Sequence, residues 1–192
     1  MNKNIILCGV GGQGTVLASK LLAAAAMKKD IPVKTAETIG MAQRGGSVTS
    51  HIRLGADTYS PLVPMGSAAL IVAFEPAEAV RMLSYLKKGG AVIVSSRAVM
   101  PVTAALAGSN YQGGEMIDYL RSKVDNLTVV DTDAACAELG ASKIVNVLLL
   151  GAAVNIGETG LTKDDIRTAI KEKVNTKFHA QNFKALDYLL ER

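Results

Sequence analysis

Cysteine is nearly missing from this chain: Cys8 and Cys136 stand far apart, with no CxxC spacing and no histidine beside either. An iron–sulfur cluster or thiolate zinc site ligated by this chain alone is thereby excluded, and a disulfide framework is argued against. There is no tryptophan, and aromatics make up only 4% of the residues. Charge of one sign is scarce as well: residues 1–60 hold 7 Lys/Arg against 3 Asp/Glu, 61–162 hold 7 against 9, and 163–192 hold 7 against 5. Without a basic run or aromatics to stack on bases, nucleic-acid binding is not expected, while small anions remain possible ligands. The longest apolar stretches are broken by Asn146, Gly151 and Asn155, short of the roughly 18–20 apolar residues a membrane helix needs. The two histidines, His51 and His179, form no HxxxH or HExxH pattern, so no metal site is expected.

What is present is a chain of 192 residues that is 49% hydrophobic and 20% charged, enough for one domain with a sizeable core. The segment MNKNIILCGVGGQG runs from a short apolar stretch straight into glycines with no signal-cleavage pattern, so a cytoplasmic protein is expected. Short β-branched runs alternate with helical stretches. Strands are expected at 4–9, 33–38, 47–54, 68–74, 91–95 and 127–131, and helices at 14–28, 75–88, 113–124 and 134–139. From Lys143 the texture is helical only, at 144–157, 162–174 and 179–190. The expected fold is α/β: a mostly parallel, Rossmann-like sheet covered by helices, as a single domain over 1–192 with a helical C-terminal part from about 143 to 192.

Local signals refine this. Residues 69–74 and 92–94 are apolar without alternation and should be central strands, covered on both faces. Ser47–Leu54 alternates instead, with Val48, Ser50, Ile52 and Leu54 against Ser47, Thr49, His51 and Arg53. Period two predicts a half-exposed strand, at an edge or in a hairpin with 58–63. Glu75-Pro76 opens a helix whose apolar positions Ala79, Met82, Leu83 and Leu86 repeat at helical spacing, and Gly89-Gly90 is expected to end it. Thr162 with Asp165 three residues on reads as a helix cap, and Asp131 as another.

The first strand feeds Gly9-Val10-Gly11-Gly12-Gln13-Gly14, a GxGxxG segment in strand–turn–helix context. Glycines there allow a tight turn and close backbone approach, and the helix N–H groups can face an anion; the alternative is that they serve only the turn and helix packing. Glu37, 23 residues after Gly14, stands where a dinucleotide fold places its ribose-binding acid. Soon after it comes a second glycine-rich loop, Gly40-Met41-Ala42-Gln43-Arg44-Gly45-Gly46, and not the helix of a next βα unit. Arg44 is either an exposed turn residue or an anion contact with Gln43 beside it. Asn146 is the odd polar residue on an apolar helix, either bonded to a loop or facing a site. Cys8 reads as a buried small hydrophobe and Cys136 as helix packing.

GVGGQG at 9–14, ETIGMAQRGGSV at 37–48, Asn146 with Leu149, Leu150 and Gly151, and Lys177-Phe178 with Asn182 together resemble the gamma subunit or domain of 2-oxoacid:ferredoxin oxidoreductases, most of all the indolepyruvate branch. The resemblance covers essentially the whole chain. It implies oxidative decarboxylation of a 2-oxo acid, acyl transfer to coenzyme A and electron delivery to ferredoxin. It also implies thiamine diphosphate, magnesium and iron–sulfur clusters on a larger partner subunit and none on this chain. The residues it singles out as facing the active site or coenzyme A are Gly9, Gly11, Gly12, Gln13, Gly14, Glu37, Gly40, Met41, Gln43, Arg44, Gly45, Gly46 and Asn146. None of these is given acid–base or nucleophilic work. Pyruvate, 2-oxoglutarate and branched-chain acids are alternative substrates within the same resemblance. An independent NAD(P)-binding reductase and a metabolite-binding regulatory module are the rival readings.

Overall fold

The computed structural model describes residues 2–39, 46–57, 59–100, 108 and 111–188. Six strands form one sheet: β1 (Lys3–Val10), β2 (Val33–Ile39), β3 (Ser47–Leu54), β4 (Ala68–Ala73), β5 (Leu86–Ser95) and β6 (Asn126–Val130). Their order is β2-β3-β1-β4-β5-β6. From β1 through β4 and β5 to β6 every pairing is parallel, whereas β3 runs antiparallel to both β1 and β2. The helices are α1 (Thr15–Met27), α2 (Pro76–Met82), α3 (Gly113–Lys123), α4 (Thr132–Leu139), α5 (Val145–Asn155), α6 (Lys163–Lys173) and α7 (His179–Asp187).

Period-two alternation sorts the sheet's side chains into two cores. Ile5, Leu7, Ile52, Leu70, Val72 and Ile93 face the layer made by α1 and the C-terminal helices, while Ile6, Cys8, Ile71, Ala73, Val92 and Val94 face α2 and α3. β4 is buried along its whole length, as its unbroken apolar run predicts for a strand covered on both faces. α1 carries Ala18, Ala24, Ala25 and Ala26 against the sheet, small residues that let it approach closely. α5 is apolar on nearly every side because β4 and β5 lie on one side of it and α7 on another.

Two sequence expectations change. Ser47–Leu54 is neither an edge nor half of a local hairpin. It is an inner strand, and residues 59–63 form no strand against it; Thr58 lies outside the described residues. Its polar face is covered: Thr49 meets the Met82 sulfur at 3.9 Å, and His51 accepts from the Val63 N–H at 3.2 Å and stands edge-on to Tyr85. Alternation here records a buried polar face, not solvent. The helix expected over 75–88 also stops early, passing through a 3₁₀ turn at Leu83–Tyr85 into β5. Leu86 already pairs with Ala68, so sheet pairing outweighs the helical spacing of 79–86. Gly90 is thereby inside β5, where an added Cβ would come within 3.0 Å of the Ala68 carbonyl oxygen. The caps are as expected: Pro76 opens α2, Thr162 and Asp165 form a reciprocal capping box on α6, and Asp131 caps α4. The last helix is described to Asp187, with 189–190 outside the described residues.

Candidate functional site

The parallel strands β1, β4, β5 and β6 all end at the same edge of the sheet, the edge at which open α/β sheets bind ligands. A crevice of about 500 Å³ opens there, lined by residues 10–14 and Leu17, by Phe74, Ser95, Arg97 and Val99, and by Ser142, Lys143, Val145 and Asn146. A second hollow of about 420 Å³ shares Leu17, Ser142, Lys143 and Asn146 with it and extends toward Phe178 and Asn182.

The glycine loop owes its shape to named contacts. Gly12 and Gly14 have φ of 99° and 86°, a region glycine enters without the penalty a Cβ brings. An added Cβ at Gly9 would lie 2.7 Å from the Gln13 Oε1 and 2.8 Å from the Phe74 Cβ, so Gly9 serves packing. Gln13 braces the turn: its Oε1 accepts from the Val10 N–H at 2.8 Å, and its Nε2 donates to the Phe74 carbonyl at 2.9 Å. No side chain among the described residues caps α1, and the uncapped N–H groups of a helix's first turn are suited to an anion. Thr15 is buried beneath them, its Oγ1 without a hydrogen-bond partner among the described residues.

Asn146 sits against this loop, its Nδ2 3.1 Å from where a Gly14 Cβ would be, and it lines both hollows. Its Oδ1 accepts from the Val147 N–H at 3.0 Å. The root of the second glycine-rich loop joins the first, as Gly11 N–H donates to the Gly46 carbonyl at 2.8 Å. Gly9, Gly11, Gly12, Gln13, Gly14, Gly46 and Asn146 are therefore brought together. Gly40, Met41, Gln43, Arg44 and Gly45 lie outside the described residues. Glu37 is exposed on β2 and is not on the crevice wall: it pairs with Ser50, which pairs with Leu7. The inserted β3 puts it about 10 Å sideways from β1, at two strand spacings. A dinucleotide domain needs its acid on the strand beside β1, so this order does not build that ribose site.

Several site residues carry no motif. Arg97 is exposed at the crevice and pairs with Asp133 at 3.5 Å; Lys143 is exposed opposite, with no ion pair among the described residues. Ser95 Oγ accepts from the Arg97 N–H at 3.1 Å and shares a 2.7 Å hydrogen bond with the Thr132 hydroxyl, so β5 and β6 end on one polar knot. The only signal for Ser95 and Arg97 is their position directly after an apolar strand.

The wall is rich in anion donors and poor in reactive groups. Burial pushes the Cys8 thiol well up, and the carboxylates of Glu78 and Glu75 push the same way, so it stays protonated inside the sheet. Cys136 is partly buried against the core, its thiol also raised by burial. Among the described residues no three His, Cys, Asp or Glu side chains gather as a metal-ligand set, and no helix is long and apolar enough to cross a membrane.

A crevice at the carboxyl ends of a mixed α/β sheet, walled by a glycine-rich loop between β1 and α1, defines a class of ligand-facing α/β protein. The chain belongs to the pyruvate ferredoxin/flavodoxin oxidoreductase family, which it matches over residues 4–191. It is 37% identical to the indolepyruvate oxidoreductase subunit IorB of Pyrococcus horikoshii, over 96% of this chain and 92% of that relative. The subunit of the same name from Archaeoglobus fulgidus is 36% identical, over 97% and 92%. The common gamma subunit of the pyruvate/ketoisovalerate oxidoreductases of Thermococcus kodakarensis is 29% identical, over 93% and 90%. The fold is shared with the pyruvate oxidoreductase subunit PORC of Thermotoga maritima, with a TM-score of 0.73 at 21% identity, covering 100% of this chain and 96% of that one. It is shared too with the 2-oxoglutarate:ferredoxin oxidoreductase of Magnetococcus marinus, solved with 2-oxoglutarate, coenzyme A and succinyl-CoA bound, with a TM-score of 0.71 at 16% identity over 97% of this chain and 30% of that one. These curated relatives are thus named as subunits of oxidoreductases.

Proposed function

We propose that this chain is the cofactor-free subunit of a cytoplasmic indolepyruvate (arylpyruvate) ferredoxin oxidoreductase, working in complex with a larger subunit. The observation that carries this reading is an imbalance. The crevice gathers backbone N–H groups at the α1 terminus, Arg97 and Lys143, yet among the described residues its walls offer no nucleophile paired with a base and no metal set. Chemistry must come from a partner. Bound there, thiamine diphosphate with magnesium would supply decarboxylation of the 2-oxo acid, and iron–sulfur clusters would carry the electrons to ferredoxin.

This chain's own residues do the rest. The uncapped first turn of α1, with Lys143 and Arg97 across the opening, suits phosphate groups of coenzyme A or the carboxylate of a 2-oxo acid. Gln13 keeps the loop in the conformation that presents those groups. Arg44, two residues before Gly46 in the sequence, is a further candidate anion contact for the same ligands. Relatives at 37% and 36% identity that are named indolepyruvate oxidoreductase subunits support the aryl substrate over the pyruvate and branched-chain alternatives.

The test is co-expression with the adjacent large subunit, mass spectrometry of the purified complex, and ferredoxin reduction with indolepyruvate and coenzyme A. The complex is expected to turn over and the isolated chain to be colourless and inactive. Turnover by the isolated chain, or micromolar NAD(H) affinity by calorimetry, overturns the reading.

A further inference from the structure

Segments in and beside the crevice wall converge on the start of α2. Gln13 reaches the Phe74 carbonyl from the glycine loop. The next residue, Glu75, is 2% exposed. Its Oε2 accepts from the Glu78 N–H at 3.1 Å, as an N-cap; its Oε1 accepts from the Tyr111 hydroxyl and from the Val99 N–H at 3.4 Å. One turn on, Glu78 is 5% exposed. Its Oε2 accepts from the Ser47 hydroxyl at 2.6 Å, and its Oε1 pairs with Arg81 at 3.5 Å.

Burying two carboxylates within one turn is costly unless each is compensated. A cap alone does not require it, because one oxygen suffices and Ser or Thr serves as well. Neither carboxylate lines the crevice, but each holds a segment that adjoins or forms its wall. Val99 is a wall residue, and Ser47 follows Gly46, whose carbonyl holds Gly11. The two side chains part because Glu75 is the extended N-cap residue ahead of the helix: it reaches Val99 and Tyr111 beyond β5, while Glu78, inside α2, reaches Ser47 on β3.

We propose that Glu75 and Glu78 are positioning residues: one buried turn of α2 sets the Arg97–Val99 wall through Val99 and Tyr111, and independently sets the root of the second glycine-rich loop through Ser47. The part of this inference that concerns turnover rests on the proposed oxidoreductase function; the structural part does not.

The test uses Tyr111→Phe and Ser47→Ala, each of which removes one arm while leaving both carboxylates in place. Hydrogen exchange on the full chain should show residues 96–100 exchanging roughly tenfold faster in Tyr111→Phe, with 46–48 unchanged, and the reverse in Ser47→Ala. Uniform loosening in either variant, or no change in either segment, overturns the proposal. In the co-expressed complex, each variant should raise KM for coenzyme A or for the 2-oxo acid roughly fivefold or more, with kcat within about twofold. Unchanged constants, or equal losses that track lowered thermal stability, also overturn it. A wild-type complex without 2-oxo acid turnover would count against the function alone, and the exchange experiment would still decide the positioning role.

Discussion

His51 shows how one buried side chain ties stability to pH. Its Nδ1 accepts from the Val63 N–H, so the ring proton sits on Nε2 and the imidazole is neutral. Burial lowers its pKa in the folded state, while in the unfolded chain it titrates near the usual value of about 6.5. The unfolded state therefore takes up the proton first. Stability contributed by neutral His51 is complete above about pH 6.5 and is lost as pH falls from there toward the folded-state value. In urea denaturation, wild type should lose more stability between pH 7.5 and 5 than His51→Gln, which cannot titrate; equal slopes would mean that the histidine does not carry this dependence. Arg44 lies outside the described residues, and its glycine-rich sequence context predicts a cation with little share in the core. Arg44→Ala should leave the subunit folded by circular dichroism but lower kcat/KM of the assembled enzyme by roughly 10- to 150-fold, the loss of a charge-assisted contact of about 1.5–3 kcal/mol. Unchanged kinetics would make it an ordinary exposed turn residue.

Among the elements, α5 and α7 approach so closely that Gly151 has no room for a side chain: an added Cβ would lie 2.4 Å from the Leu186 carbonyl oxygen. Backbone cannot yield as a side-chain tip can, so Gly151→Ala should force the helices apart. The expected cost is about 1–3 kcal/mol or more, lowering Tm by several degrees at about 2–4 °C per kcal/mol for a chain of this size. Gly114 on α3 is the opposite case. Nothing lies within 4 Å of its would-be Cβ, so Gly114→Ala should raise stability by a few tenths to about 1 kcal/mol. Calorimetry of the two variants should give shifts of opposite sign, and a neutral Gly151→Ala would contradict this close helix packing. The contrast also shows what a sequence can reveal about elements. Elements were legible where no long-range pairing overrode a local signal: the unbroken apolar run of β4, the Thr162–Asp165 box, Pro76 at the start of α2. The insertion of β3 was not, since alternation in Ser47–Leu54 is the same whether Thr49 and His51 meet water or meet Met82 and Tyr85. The glycine loop and Asn146 could be picked out because they break an apolar context. Arg97, Lys143, Glu75 and Tyr111 could not, because only the folded sheet edge brings them near the loop.

At the scale of the whole molecule, polarity is distributed unevenly between the two ends of the sheet. The end carrying Gly11–Gly14, Arg97, Lys143 and the root at Gly46 presents the uncapped N-terminus of α1 and two contiguous hollows. The other end presents the 3₁₀ turn at Leu83–Tyr85 and the start of β5 beside 119–125, a hollow ringed by Lys87, Lys88 and Lys123. On the proposed function, a partner that brings the chemistry is expected to cover the first end, since an enclosed site needs its water excluded and its donors facing the reacting groups. A stable subunit contact buries about 1,200–2,000 Å² or more of total surface, so neighbouring amides must be shielded together with the loops. Hydrogen exchange of the free chain against the co-expressed complex should then show protection concentrated at residues 9–14 and 40–50, with weaker protection at 142–146 and none at 84–90 or 119–125. The outer segments serve as the internal control, because global stabilisation by any binding event would slow exchange at both ends. Protection confined to the lysine-ringed end would reverse the proposed orientation, and equal exchange at 9–14 and 40–50 in the two forms would leave the glycine-rich crevice without its partner.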